Sequence, residues 1–418
     1  PPPPPFQAED GIRDVAVGLV GSEMCIRDRV SILLNKLRKC SITYLNLPIQ
    51  EKDGNMSTLF DVFNTIQTRL FPSLEQELDP LNAKEREFIQ IITLLDLPAH
   101  MRQYSWRGFG RKKKSRLAMA KAFIVKSVYK LETTDLLIVY LKYCSNIRRL
   151  CGWERSGQVP SPSTFSRAFS EFAAGELPQK IHEAMIRRHC GEKLAGHVSR
   201  DSTAIESREK PAKKPKAPPK PKRKRGRPRK GEVVAAKPNK RVQLQVERSL
   251  EENLNDLPTV CNVGTKKNSK GYKTTWIGYK LHLDCIDGDI PISAILTSAS
   301  LHDSQAAIPL AQMSSERVTN LYDLMDAAYD SPEIHAFSKS LGHRPIIDDN
   351  PRRGQKILMD PATKSRFAER SSAERVNSYL KDSYGGRNIR VKGASKVMAH
   401  LMFGIVSIAA MQLYRLLL

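Results

Sequence analysis

Phe367-Ala368-Glu369-Arg370-Ser371-Ser372-Ala373-Glu374-Arg375-Val376-Asn377-Ser378-Tyr379-Leu380-Lys381 is the stretch on which the reading of this chain turns. Helix formers dominate it and neither Gly nor Pro interrupts it, so its composition predicts one helix. At about 100° per residue, Phe367, Arg370, Glu374 and Lys381 share a sector of roughly 60°. Ala373, Val376 and Leu380 lie well round the axis from that stripe, where they can face a core. The helix therefore carries an apolar strip and, apart from it, a line of Arg, Glu and Lys. A carboxylate flanked by cations one and two turns away suits a site that holds a metal ion beside a phosphodiester. A salt-bridged surface helix produces the same pattern, because Arg–Glu and Glu–Lys pairs at helical spacing are common. The rest of the chain decides between the two.

The 418 residues leave room for two or three domains. With 68 Lys and Arg against 44 Asp and Glu, the formal charge is +24, and such an excess favours polyanions, nucleic acid first among them. The seven Cys are scattered, with no pair at C-x-x-C spacing. This speaks against a zinc knuckle or a redox pair and for a reducing compartment. The apolar run from Val397 to Tyr414 approaches membrane-spanning length. It contains His400 and Gln412 and follows directly on the Glu374 helix, so a packed core helix is expected rather than a membrane segment.

Residues 1–29 are expected to be foreign to the fold. Gln7–Asp14 and Leu19–Asp28 resemble the in-frame translation of sequencing-library adapter DNA, with Pro1–Pro5 as a homopolymer artefact. A start at Met56 is plausible, because Met56-Ser-Thr-Leu-Phe-Asp-Val-Phe opens an apolar-periodic helix. Residues 1–55 are accordingly expected to be a non-native, disordered extension.

From residue 57 the chain reads as helices. Leu59, Val62, Phe63, Ile66 and Leu70 form one stripe; Phe88, Ile89, Ile91, Ile92 and Leu95 form a second. The basic cluster Arg107–Arg116, interleaved with Trp106 and Phe109, suits either phosphate contact or a solvated loop. Ser161, followed by Pro162, predicts the cap and first turn of a further helix whose face is Phe165, Ala168, Phe169 and Phe172. A late Ser-capped helix among short ones resembles a helix-turn-helix. Arg149-Leu-Cys-Gly-Trp153 and Pro162-Ser-Thr-Phe-Ser-Arg167 resemble the N-terminal helical domain of bacterial insertion-sequence transposases.

The texture changes at Val198-Ser-Arg-Asp201-Ser-Thr, where a short strand is expected to carry Asp201 at or near its end. Residues 208–241 then hold 16 Lys or Arg and two Glu, a net +14. Rich in Pro and Ala, they have too little apolar bulk to bury a core and are expected to be disordered when free. Within them Arg225-Gly226-Arg227-Pro228-Arg229 resembles an AT-hook, an extended segment whose Arg side chains enter an A·T-rich minor groove. A sequence-blind basic tether is the alternative. Residues 271–299 predict a hairpin turning at Gly288-Asp289. A helix, a buried strand delivering Asp326, a second helix and the strand His343–Asp348 follow.

This order, with one early insertion, is α/β with a mixed sheet. Carboxylates are expected at the end of the first strand (Asp201), at the end of the fourth (Asp326) and on the late helix (Glu374). Two strand-borne acids and one helical acid can converge on two divalent cations. Mg²⁺ favours such hard oxygen ligands, and a metal pair suits in-line chemistry at a phosphodiester. Asp303 and Asp330 are candidates to support the ligands, and Asp348 and Asp349 are weaker contenders for ligation. His302 and His335 suit hydrogen bonding better than a magnesium site.

Arg200-Asp-Ser-Thr203, Tyr322–Ser331 and the Arg370, Glu374, Lys381 spacing resemble the ribonuclease H-like catalytic domain of DDE transposases, in the group with a Tyr-x2-Arg-x3-Glu-x6-Lys signature. Phe367 stands where that group has Tyr. The resemblance implies an α/β ribonuclease H-like catalytic domain over residues 196–418, interrupted by the basic insertion at 208–241. It also implies an all-helical DNA-binding domain over 56–195. It makes Asp201, Asp326 and Glu374 ligands of two Mg²⁺ or Mn²⁺ ions, and Arg370 and Lys381 contacts to the transposon-end backbone. The implied protein binds terminal inverted repeats and target DNA and cuts and joins strands as a homodimer or larger assembly in the bacterial cytoplasm. A regulatory or architectural DNA-binding descendant, or a structure-specific nuclease on the same fold, are the alternatives.

Overall fold

The computed structural model describes residues 59–78, 80–106, 108–213, 240–267, 271–351 and 355–416. The expectations for residues 1–55, for a start at Met56 and for the AT-hook-like Arg225–Arg229 therefore fall outside the described residues.

The first part is helical, as its periodicity predicts. Helix α1 (Leu59–Thr65) runs through a wide π turn at Ile66–Leu70 into α2 (Phe71–Glu77). Helix α3 (Ala83–Leu94) begins with a reciprocal cap: Asn82 Oδ1 accepts from the Glu85 amide, and the Glu85 carboxylate accepts from the Asn82 amide, each at 2.9 Å. Then come α4 (Arg116–Val128), α5 (Thr134–Tyr143), α6 (Ser145–Cys151), α7 (Pro162–Ala174) and α8 (Leu177–Cys190). Ser161 occupies the cap position of α7, but its hydroxyl lies against Ser163 and Thr164 and makes no cap bond to the backbone. The α7 face expected to be apolar is buried. There Phe123 of α4 meets Phe165, Phe169 and Phe172 at centroid distances of 5.0–6.2 Å.

Strand β1 (Leu194–Glu206) opens the sheet. It is followed by α9 (Arg241–Gln245), α10 (Leu250–Asp256), β2 (Asn262–Lys267), β3 (Lys273–Ile286) and β4 (Ile290–Ser298). The chain closes with α11 (Ser304–Ser315), β5 (Thr319–Met325), α12 (Pro332–Ser340), β6 (Arg344–Ile347), α13 (Pro361–Ala368), α14 (Ser371–Asp382) and α15 (Ala394–Arg415). β3 pairs antiparallel with β1, β4 and β2; β1 pairs parallel with β5, and β5 with β6. The hairpin β3–β4 turns where expected: Gly288 and Asp289 both take positive φ, 83° and 60°, as a right-twisted two-strand turn requires.

Three features depart from the sequence reading. β1 is not short: it continues past Asp201 to Glu206, because the long β3 stays paired with it as far as Gly278. Asp201 therefore sits within the strand rather than at its end. β2 is an additional strand, so the strand that delivers Asp326 is the fifth. The predicted single helix over 367–381 is broken into α13 and α14 by a tight turn at Glu369–Arg370. The Ser199 hydroxyl of β1 donates to the Glu369 carbonyl at 3.0 Å, giving that oxygen a partner outside the helix.

Helix α15 is long and apolar enough to cross a membrane, yet 89% of its most apolar window is buried within the protein. It packs against α8, α4, α7 and α3 on the helical side and against β4 and α14 on the other. Glu209, within the expected insertion, is anchored: its carboxylate accepts from Tyr279 Oη at 2.9 Å and from the Gly393 amide at 2.8 Å.

Candidate active site

Alternate side chains of a strand face opposite sides of a sheet, and β1 uses both sides for polar work. On one side Ser199, Asp201 and Thr203 meet the α13–α14 segment in succession. Ser199 reaches Glu369, Asp201 Oδ2 accepts from Asn377 Nδ2 at 3.1 Å, and Thr203 Oγ1 accepts from Lys381 Nζ at 2.5 Å. Ile205 continues the row into a core with Leu281, Leu283, Ala373, Val376 and Leu380. The apolar strip of the late helix thus seats it on the sheet, and Asn377 and Lys381 reach across to β1.

On the other side the Arg200 guanidinium grips Asp284 through two bonds of 2.8 and 2.6 Å. Ser314 donates to Asp284 at 2.7 Å, and both members of the pair are buried. This bidentate pair fixes β1 against β3 one residue from Asp201.

The β1–β5 register pairs Arg200 with Met325. One residue beyond that pair, Asp201 continues β1 while Asp326 leaves the end of β5 to cap the turn Ala327–Tyr329, which brings the two carboxylates close enough to feel one another's charge. Burial pushes the Asp201 carboxyl up to about 6 against the lowering effect of the Ser202 amide, and the charge of Asp326 adds to the rise. Burial likewise raises Asp326, opposed by the Ala328 amide that donates to its Oδ1 at 2.9 Å, while nearby Asp303 raises it further. The cations that counter both are Arg370 and Lys266.

Glu374 lies one turn before Asn377 on α14, hence near the same face. Its carboxylate is held by Arg370 Nη2 at 2.6 Å and is 54% exposed. Among the described residues no three His, Cys, Asp or Glu side chains form one metal-binding group. Arg370 stacks on the Phe367 ring, 5.6 Å from its centroid, so Phe367 offers its face to the cation.

The other sequence candidates are placed apart from the Asp201–Asp326 pair or tied to other partners. Asp303 pairs with Lys280 at 2.8 Å; burial opposes its ionisation, but His282 and Lys280 outweigh it and hold the carboxyl below its usual range. Asp330 binds His335 at 3.1 Å, Asp348 binds Lys356 at 2.8 Å, and Asp349 accepts from the Ile357 amide. His302 contacts Ser304. In the basic cluster, Arg116 and Lys113 pair with Glu171, whereas Arg111, Lys112 and Lys114 are exposed. Sequence reasoning does not single out Asn377, although it lies only about 20° outside the polar sector of the late helix. It misses Lys266 because it misses β2.

The acidic site fits a hard divalent cation. Two carboxylates close together repel one another in a buried setting, their donors are oxygens, and the buried Asn377 Oδ1 beside them has no hydrogen-bond partner. A mixed sheet with antiparallel β4, β3 and β1 followed by parallel β5 and β6, with acids on β1 and after β5, is a ribonuclease H-like arrangement. Acids so placed suit the class of enzymes that use divalent metals on phosphodiesters. Within that class, the family described as transposase DDE domain matches residues 245–409, and a transposase domain family (DUF772) matches residues 73–171. The two matches together take in more than half of the chain, which belongs to the DDE transposases of insertion-sequence type. No curated protein matches it. The DDE match begins downstream of Asp201, so that residue's place in the site rests on topology and register.

Proposed function

We propose that this transposase binds the terminal inverted repeats of its own element and carries out strand cleavage and strand transfer with Asp201, Asp326 and Glu374 as ligands for two Mg²⁺ or Mn²⁺ ions. The observation that supports the assignment is the proximity of Asp201 and Asp326, with Asn377 of α14 bonded to Asp201 one turn from Glu374. When bound, the two ions would activate the attacking oxygen and stabilise the leaving one. The chain's own residues supply the rest. Asn377 holds one oxygen of Asp201 and so orients the other. Glu374, exposed and with rotatable side-chain bonds, leaves Arg370 and turns to the pair. That exchange frees the Arg370 guanidinium for the phosphate, where its planar fork matches two oxygens. Lys381, held on Thr203, is a second backbone contact. Cations in place before the reaction need little reorganisation during it.

The Arg225–Arg229 segment is proposed to enter an A·T-rich minor groove, and the exposed part of the Arg107–Arg116 cluster to contact backbone. Two DNA ends must be held together for joining, so the working form is a dimer or larger, in the bacterial cytoplasm and on the nucleoid. The test is metal-dependent release of a 3′ end from a duplex bearing the element's terminal repeat. Asp201→Ala, Asp326→Ala and Glu374→Ala are each expected to abolish release while DNA binding persists. Cleavage that survives any of the three overturns that residue's assignment. A preference for branched junctions over repeat ends would instead support a structure-specific nuclease.

A further inference from the structure

β2 and the first half of β3 form a two-stranded ribbon that the sheet's own chemistry does not require. Register runs from Asn262↔Gly278 to Lys267↔Lys273. At Gly278 the long strand changes partners, passing from β2 to β1 and β4. The glycine is needed there: its φ is +152°, and a side chain's Cβ would run into the Ile205 carbonyl oxygen. Beyond this junction the ribbon is stiffened at its base. Trp276 is buried, and its indole N–H donates to the Tyr279 carbonyl at 3.0 Å. Its ring lies flat over Gly264 and fills the space that any side chain at that position would take. Residues 262–278 contain four Lys and no acid. Lys266, Lys273, Thr274, Thr275 and Tyr272 are exposed. The ribbon springs from the strand that bears the acidic site: Gly278 at its base pairs with Glu206, five residues beyond Asp201 on β1.

A rigid, basic, two-stranded ribbon fits a duplex groove, and its lysines neutralise phosphates. We infer that the β2–β3 ribbon is a DNA-gripping arm that holds the duplex next to the scissile phosphate, with Lys266 and Lys273 as its backbone contacts. This rests on the proposed cleavage site and extends it to an element outside the acidic constellation.

The test uses the full chain and a radiolabelled repeat-end duplex, comparing wild type with Lys266→Ala, Lys273→Ala and the double variant. Binding is measured across a salt series, and 3′-end release with Mn²⁺. Each substitution is expected to lower the slope of log affinity against log salt by about 1. Lys266→Ala is expected to slow release more than Lys273→Ala, and melting temperature should not move because both side chains are solvent-exposed. A wild type that binds and cuts alongside variants with unchanged slope and rate overturns the arm and leaves the cleavage site standing. A wild type that binds, with the expected loss of slope in the variants, but does not cut upholds the arm and overturns the cleavage reading. A wild type that binds no duplex overturns both.

Discussion

At the scale of single residues, Asn377 links the acidic pair to the late helix. Its amide N–H donates to Asp201 and so positions that carboxylate. Outer groups that orient ligands change metal affinity or activity by about 10–100-fold. Asn377→Leu is therefore expected to raise the Mn²⁺ concentration needed for half-maximal cleavage by about that factor, read in a metal titration. A loss of rate with an unmoved metal midpoint would contradict positioning. Phe367 invites a second test. The ring serves Arg370 through its face, worth about 0.5–1 kcal/mol at a partly exposed site. Phe367→Tyr should keep cleavage near the wild-type rate, and Phe367→Ala should slow it about two- to fivefold. The requirement proposed for this position is an aromatic face for the Arg370 guanidinium.

At the scale of elements, β1 is the organiser. Every second residue serves the α14 side, and Arg200 on the opposite side locks the strand to β3 and α11. A buried ion pair is costly to break one member at a time, because the survivor is left charged and unsolvated. Arg200→Met alone is expected to cost about 3–5 kcal/mol, and combination with Asp284→Leu should recover much of that loss; urea unfolding of the single and double variants measures both. Gly278→Ala tests the ribbon junction, where no side chain fits without moving Ile205. Asp201 was legible as a strand residue from Val198–Thr203, but the length of β1 was not. Strand length follows from its partner, and β3 lies more than 70 residues downstream. The broken late helix has the same origin: nothing in Glu369–Arg370 forbids helix, and the competing donor is Ser199 on a different element.

At the scale of the molecule, α15 is the axis on which both halves pack, and burial there has a cost in acid. Burial pushes His182 and His400 down to about 3 and His282 to about 4. The native state therefore keeps these imidazoles neutral while the unfolded chain takes up protons below its ordinary 6.5. Their stabilisation is present above pH 6.5 and is lost as pH falls toward 4. With His189, which burial likewise pushes down to about 4, four such groups give a slope of about 5 kcal/mol per pH unit near pH 5, from which Asp201, raised and so acting in the opposite direction, removes about one quarter. The melting temperature is expected to fall steeply between pH 6 and 4, and His400→Gln should flatten that fall. An unchanged melting temperature over this range would refute it.

Local pattern sufficed for the helical first half, the hairpin at Gly288–Asp289, the buried strand before Asp326 and the polar stripe bearing Arg370, Glu374 and Lys381. Those features arise from periodicity and turn chemistry, which act over a few neighbouring residues. Charge alone pointed to nucleic acid. Only the tertiary structure decided that Asp201 and Asp326 come together, because the pairing of Arg200 with Met325 just before them spans 125 residues of chain. It alone decided that Asn377 touches Asp201 and that a basic ribbon grows from the far end of β1. Each of these depends on which distant surface an element is pressed against, and that choice is made by the whole chain at once.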